Sequence, residues 1–122
     1  MAIEFEIEEH TAGGDAHVVS VTGEVDLFTA PEFKDRVMAP IAAGVERVVV
    51  DLSDASFIDS SSLGVLIGAH RRLRARGGRL MVACDHAAIL KTFRVTGLDS
   101  VFTIAPTVEE ALAAPDPDAE AA

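Results

Sequence analysis

The strongest constraint on the fold lies in the middle of the chain, where Val48-Val49-Val50-Asp51-Leu52 has the unbroken β-branched character of a strand covered on both faces and the apolar residues from Leu63 onward turn to helical spacing. A buried strand therefore runs through a short polar loop into a helix. Asp59, Ser60, Ser61 and Ser62 fall where that helix begins. Side-chain oxygens at such a position accept the unpaired backbone N–H groups of the first turn, and the positive end of the helix dipole favours negative charge. Ordinary helix capping is thus the first reading of these four residues. The same chemistry predicts that an anion added there meets several donors.

Around this junction the chain reads as alternating strands and helices. Ile3, Phe5 and Ile7 alternate with Glu4, Glu6 and Glu8, the period of a strand with one wet face at or near a sheet edge. Thr11-Ala-Gly-Gly-Asp supplies a turn, and His17 to Gly23 resumes as a second strand, so the two runs pair as an antiparallel hairpin whose register buries Ile3, Phe5 and Ile7. Thr29 is placed to cap a helix with Pro31 near its start and an apolar face of Phe33, Val37 and Ile41; Pro40 loosens or ends it and Gly44 closes it. The helix from about Ser60 to Arg76 has three arcs at about 100° per residue. Val65, Leu66, Ala69 and Leu73 face the sheet, Leu63, Ile67, His70 and Arg74 lie beside them, and Gly64, Gly68, Arg71 and Ala75 form a nearly bare stripe. Arginines in the last turn suit the dipole, and Gly77-Gly78 predicts a left-handed exit. A strand over Leu80 to Cys84, a helix over Ala87 to Thr96, a strand over Val101 to Ile104 and a helix over Thr107 to Ala114 complete the pattern. The expectation is an α/β fold: a single domain over residues 1–113 with one mixed β-sheet, opened by a hairpin and covered by about four helices, followed by a disordered acidic tail over 114–122.

Charge and composition narrow the functional classes. The 122-residue chain carries 20 Asp and Glu against 10 Lys and Arg, a formal net charge of −10, which argues against nucleic acid or an anionic membrane as partner and for a partner with a basic face. Cys84 is the single cysteine, and neither a leader sequence nor a long apolar run is apparent, which predicts a cytoplasmic protein without an internal disulfide. Trp and Tyr are absent, so an interface must rely on aliphatic side chains, Phe and charge. His10, His17, His70 and His86 lie in separate elements without metal-ligand spacing, and no glycine-rich phosphate loop with a lysine occurs; neither metal nor cofactor is expected. Ser60-Ser61-Ser62-Leu63-Gly64 has a faint likeness to the nucleophile elbow of hydrolases, but a serine stands two before Ser62 where that motif needs glycine. A regulatory protein, rather than an enzyme, is the expectation.

Three blocks in order carry a specific resemblance. Phe57-Ile-Asp-Ser-Ser-Ser-Leu-Gly-Val-Leu-Ile-Gly resembles the signature of bacterial anti-sigma factor antagonists, the STAS-domain family; Gly23-Glu-Val-Asp-Leu-Phe-Thr-Ala-Pro resembles that family's first loop, and Phe93-Arg-Val-Thr-Gly-Leu-Asp-Ser-Val-Phe its C-terminal helix-to-strand corner. Together they extend the resemblance over roughly residues 3 to 112. It implies partner switching in sigma factor regulation. The unphosphorylated form binds an anti-sigma factor with serine kinase activity and releases the sigma factor, phosphorylation breaks the complex, and a serine/threonine phosphatase restores it. Any ATP used belongs to the partner kinase. By motif alignment the modified residue is Ser61, with Ser60 and Ser62 as alternatives because Ser62 stands where the family usually has glycine. The extra side chain at 62 is expected to narrow a partner's approach. Asp26, Asp59, Ser60, Ser62, Leu63 and Ile67 are the candidate partner-binding residues. The alternative is a STAS module that serves another signalling complex or senses a ligand.

Overall fold

The computed structural model describes residues 5–116. Five strands form one mixed sheet in sequence order: β1 (Glu6–Ala12), β2 (Ala16–Val25), β3 (Arg47–Ile58), β4 (Arg79–Ala83) and β5 (Thr103–Ala105). The β1–β2 pair is antiparallel and the other three pairs are parallel. Crossovers that advance in one direction place α1 (Ala30–Ala42), α2 (Ser60–Arg74) and α3 (Ala87–Val95) on one face, over Val19, Val21, Val48, Val50, Leu52, Leu80 and Val82. The alternate residues Val18, Val49, Met81 and Ala83 point the other way and pack with Ala111 of α4 (Val108–Ala113). The central strands are thus buried on both sides, as their unbroken apolar run requires.

Several elements depart from their sequence reading for definable reasons. β1 runs on through His10 to Ala12 because the turn needs only Gly13, Gly14 and Asp15, with both glycines at positive φ (57° and 90°). Phe5 and Ile7 pack against the core as expected, while Ile3 lies outside the described residues. β3 continues to Ile58 instead of stopping near Leu52. Past Asp51 it has no partner in β4 and pairs with β2 alone, so beyond Leu52 only Ala55 and Ile58 keep facing the core and the intervening polar residues read as loop. Thr29 does not cap α1. It sits in helical conformation, and its hydroxyl donates to the Glu24 carbonyl (2.9 Å) while accepting from the Asp26 N–H (2.9 Å). Pro40 is accommodated in the last turn, and the helix closes at Gly44, whose φ is 101°.

Charged contacts tie the helices and the chain ends to the sheet. Glu9 of β1 accepts from His17 of β2 and from Arg36 of α1. Desolvation works against its ionisation, but these hydrogen bonds outweigh it and hold the carboxyl below the usual Glu range. At the opposite end of the chain Arg74 pairs with Asp116 at 2.8 Å, and Arg79 donates to the Ala114 carbonyl at 3.0 Å. Residues 114–116 are therefore held against the end of α2 and β4; 117–122 lie outside the described residues. Phe102 is buried in the α3–β5 connection with its ring edge-on to Phe93 and His70. Among the described residues no helix is long and apolar enough to cross a membrane.

Candidate functional site

Parallel pairing of β2 with β3 matches Val25 to Ile58, so Asp26 and Asp59 leave neighbouring strands at the same edge of the sheet. Each then organises its own loop. Asp59 is the N-cap of α2, and its Oδ1 accepts the N–H groups of Ser61 (3.0 Å) and Ser62 (3.2 Å), while its carbonyl accepts from Leu63 (3.0 Å). Asp26 Oδ1 accepts the N–H groups of Phe28 (2.9 Å) and Thr29 (3.1 Å), which folds the loop before α1 into a tight turn. The expectation of several free donors at the helix start is corrected by this geometry, because the first-turn N–H groups of residues 61 to 63 already serve Asp59.

The three serines occupy different environments. Ser62 is wholly buried; its hydroxyl accepts the Asp59 N–H at 2.9 Å and lies 3.0 Å from the Val25 carbonyl, to which it donates. It ties the end of β2 to the start of α2 and has no surface to offer, so it does not narrow a partner's approach. Ser60 is exposed and Ser61 half-buried, and neither side chain forms a hydrogen bond among the described residues. Replacing Ser62 by Ala strands the Val25 carbonyl and the Asp59 N–H. The expected cost is about 1–3 kcal/mol, read as a lower urea midpoint at unchanged slope.

Two surfaces adjoin this end of the sheet. On one side the β2–α1 loop presents Leu27 and Phe28, 70% and 89% exposed, with half-exposed Phe57 on the neighbouring strand β3. Sequence reasoning passed over them, although two large apolar residues between Asp26 and Thr29, outside any strand or helix period, were the available signal. Leu63, by contrast, is 7% exposed and belongs to the core, so it offers a partner almost nothing; Ile67 is partly buried and packs against that core. His70 rests on Phe102. On the other side, an open groove of about 540 Å³ runs between α1 and α2, lined by Lys34 and Met38 from α1 and by Ser61, Gly64, Val65, Gly68, Arg71 and Arg72 from α2. The bare stripe of α2 is its floor. A side chain at Gly64 would meet nothing within 4 Å, whereas one at Gly68 would lie 3.4 Å from the Met38 methyl. Cys84 is buried beyond β4, where burial pushes its thiol pKa up, and among the described residues no group of His, Cys, Asp and Glu is arranged to hold a metal.

Comparison with known proteins places this geometry in context. The sequence pattern of the STAS domain matches residues 5–111. A protein of Listeria monocytogenes named anti-sigma-B factor antagonist is 32% identical over 105 residues, which is 85% of this chain and 90% of that one. Its namesake in Bacillus subtilis is 29% identical over 91 residues, 75% of this chain and 83% of the relative. The crystal structure of an anti-sigma factor antagonist from Mycobacterium paratuberculosis superposes with a TM-score of 0.79 at 31% identity and covers 92% of each chain.

Proposed function

This chain belongs to the STAS domain family, and from that premise we propose that it is an anti-sigma factor antagonist: unmodified, it binds an anti-sigma factor and frees the sigma factor, and phosphorylation of Ser61 turns the binding off. It acts by docking, with no reaction of its own. The kinase is the anti-sigma factor, which binds the ATP, and a serine/threonine phosphatase resets the switch in the cytoplasm.

The observation that carries the reading is the different placement of three adjacent hydroxyls. Ser62 is consumed by the fold, while Ser61 is half-buried with an unengaged side chain at a helix start that Asp59 already holds in place. A phosphate of about −1.5 to −2 charges on Ser61 adds to Asp26 and Asp59 and alters the docking surface without requiring the fold to move. Partner contact then falls to the exposed Leu27–Phe28 loop with Asp26, and to Asp59, Ser60 and the exposed part of Ile67. Peptide mapping of the protein isolated from its own cells, before and after serine/threonine phosphatase treatment, tests this. One removable phosphate on Ser61 is expected; modification of Ser60 alone would move the site, and no phosphate in any growth condition would overturn the switch.

A further inference from the structure

A phosphate on Ser61 needs counter-charges that the helix start does not supply. The N–H groups of residues 61 and 62 are bound to the Asp59 carboxylate, and that carboxylate repels a second anion. The groove between α1 and α2 is different. In a chain of net charge −10 it is lined by three cations, Lys34, Arg71 and Arg72, with no carboxylate among its lining residues. None of the three forms an ion pair among the described residues.

The layout of the helices selects one of these cations. α1 and α2 follow parallel strands and return over the same face of the sheet, so they run side by side in the same direction. The approach of Met38 to Gly68 marks one level of the pair. Four residues back on each helix, about 6 Å along the axis, the side chain of Lys34 comes level with Gly64, and Ser61 lies about 4.5 Å further along α2. Both residues line the same groove, and the flexible lysine side chain and the projecting phosphoester together bridge what separates them. Arg71 and Arg72 follow Ser61 by ten and eleven residues, about 15 Å along α2, too far for contact.

We propose that Lys34 pairs with the phosphate on Ser61 and seats it in the α1–α2 groove, away from Asp59. This rests on Ser61 being the modified serine. The seat makes Lys34 a positioning residue for the modified state, while Arg71 and Arg72 contribute only a distant field.

The test uses the full chain with phosphoserine installed at position 61 during translation, followed by phosphorus NMR through a pH titration. A neighbouring ammonium favours the dianion, so Lys34→Met is expected to raise the second ionisation of the phosphate by about half a pH unit or more relative to the native phosphoprotein, and Lys34→Arg to leave it near the native value. The double variant Arg71→Met/Arg72→Met is expected to move it less than Lys34→Met does. Lys34 is exposed, so the unmodified variants should melt with the native protein, which separates loss of the pairing from loss of the fold. Identical titrations for native and Lys34→Met, or a larger shift from the arginine pair, would overturn the proposal. The titration reads the phosphate alone. A phosphoprotein that still bound the anti-sigma factor would therefore sink the switch and leave the seat standing.

Discussion

Replacing Ser61 by Asp is expected to weaken binding to the cognate anti-sigma factor by about a hundredfold or more, equivalent to about 2.7 kcal/mol. The variant places a fixed negative charge beside Asp59, at the junction between the Leu27–Phe28 loop and the α1–α2 groove. Like charges brought together at an interface cost several kcal/mol, and a docked partner excludes the water that would otherwise screen them. The fold should tolerate the change. Residue 61 is in the first turn of α2, where the helix dipole offsets the repulsion from Asp59, so the melting temperature should stay close to the native one. Asp carries less charge than phosphate and has a shorter reach, which makes the hundredfold figure a lower bound for the phosphoprotein. Ser61→Ala should keep nearly native affinity, and Ser60→Asp, one residue away and about 100° around the helix, should lose less than about tenfold. Titration calorimetry on the three variants measures this directly. A Ser61→Asp protein that bound as tightly as the native one would remove the basis for the switch.

The largest effect on stability is expected from Gly78→Ala, about 3 kcal/mol or more, with a melting temperature lower by about 10 °C or more. A Cβ at this position would lie 2.3 Å from the Glu46 carbonyl oxygen and 3.1 Å from two further backbone atoms of Glu46. Those atoms cannot swing aside, because the same carbonyl accepts the Arg79 N–H that starts the β3–β4 pairing. The Gly78 N–H is also fixed, donating to the Leu73 carbonyl at 2.8 Å. Relief of the clash must therefore displace the end of α2 or the first residues of β4. Thermal melts of Gly78→Ala and Gly77→Ala separate the two glycines: Gly77 has φ of 77° and open space around it, so its cost is the smaller one of a strained backbone.

That pair shows where sequence reading reaches its limit. Gly77-Gly78 is legible as a helix exit, but only Gly77 adopts the left-handed conformation; Gly78 is required by the backbone of Glu46, the residue before β3 and more than thirty residues upstream. The strand-to-helix junction at Asp59 and the buried face of α2 are legible because they rest on local periodicity, and Val65, Leu66, Ala69 and Leu73 are all buried. The length of β3 is not. Its polar second half is held as strand by β2, and a one-dimensional pattern cannot register that β4 is too short to cover it. Thr29 has the sequence position of a cap, yet two nearer groups, the Glu24 carbonyl and the Asp26 N–H, take its hydroxyl. The candidate site divides in the same way. Asp59 as cap follows from its position, whereas the full burial of Ser62 beside two more accessible serines depends also on the Val25 carbonyl, 37 residues from Ser62.

The bond from the Ser62 hydroxyl to the Val25 carbonyl also bears on how fast and how finely a partner responds. It joins the loop that carries Phe28 to the helix that carries Ser61, and the Asp26 turn and the Asp59 cap stiffen each side of that joint. A partner thus meets a surface whose shape is set before encounter, and docking surrenders little chain entropy. Recognition that spends so little on ordering the surface leaves the complex governed by what sits at its centre. On a rigid mount of this kind the phosphate proposed at Ser61 would not be absorbed by a loop that shifts aside, and its presence or absence would be passed on to the docked partner.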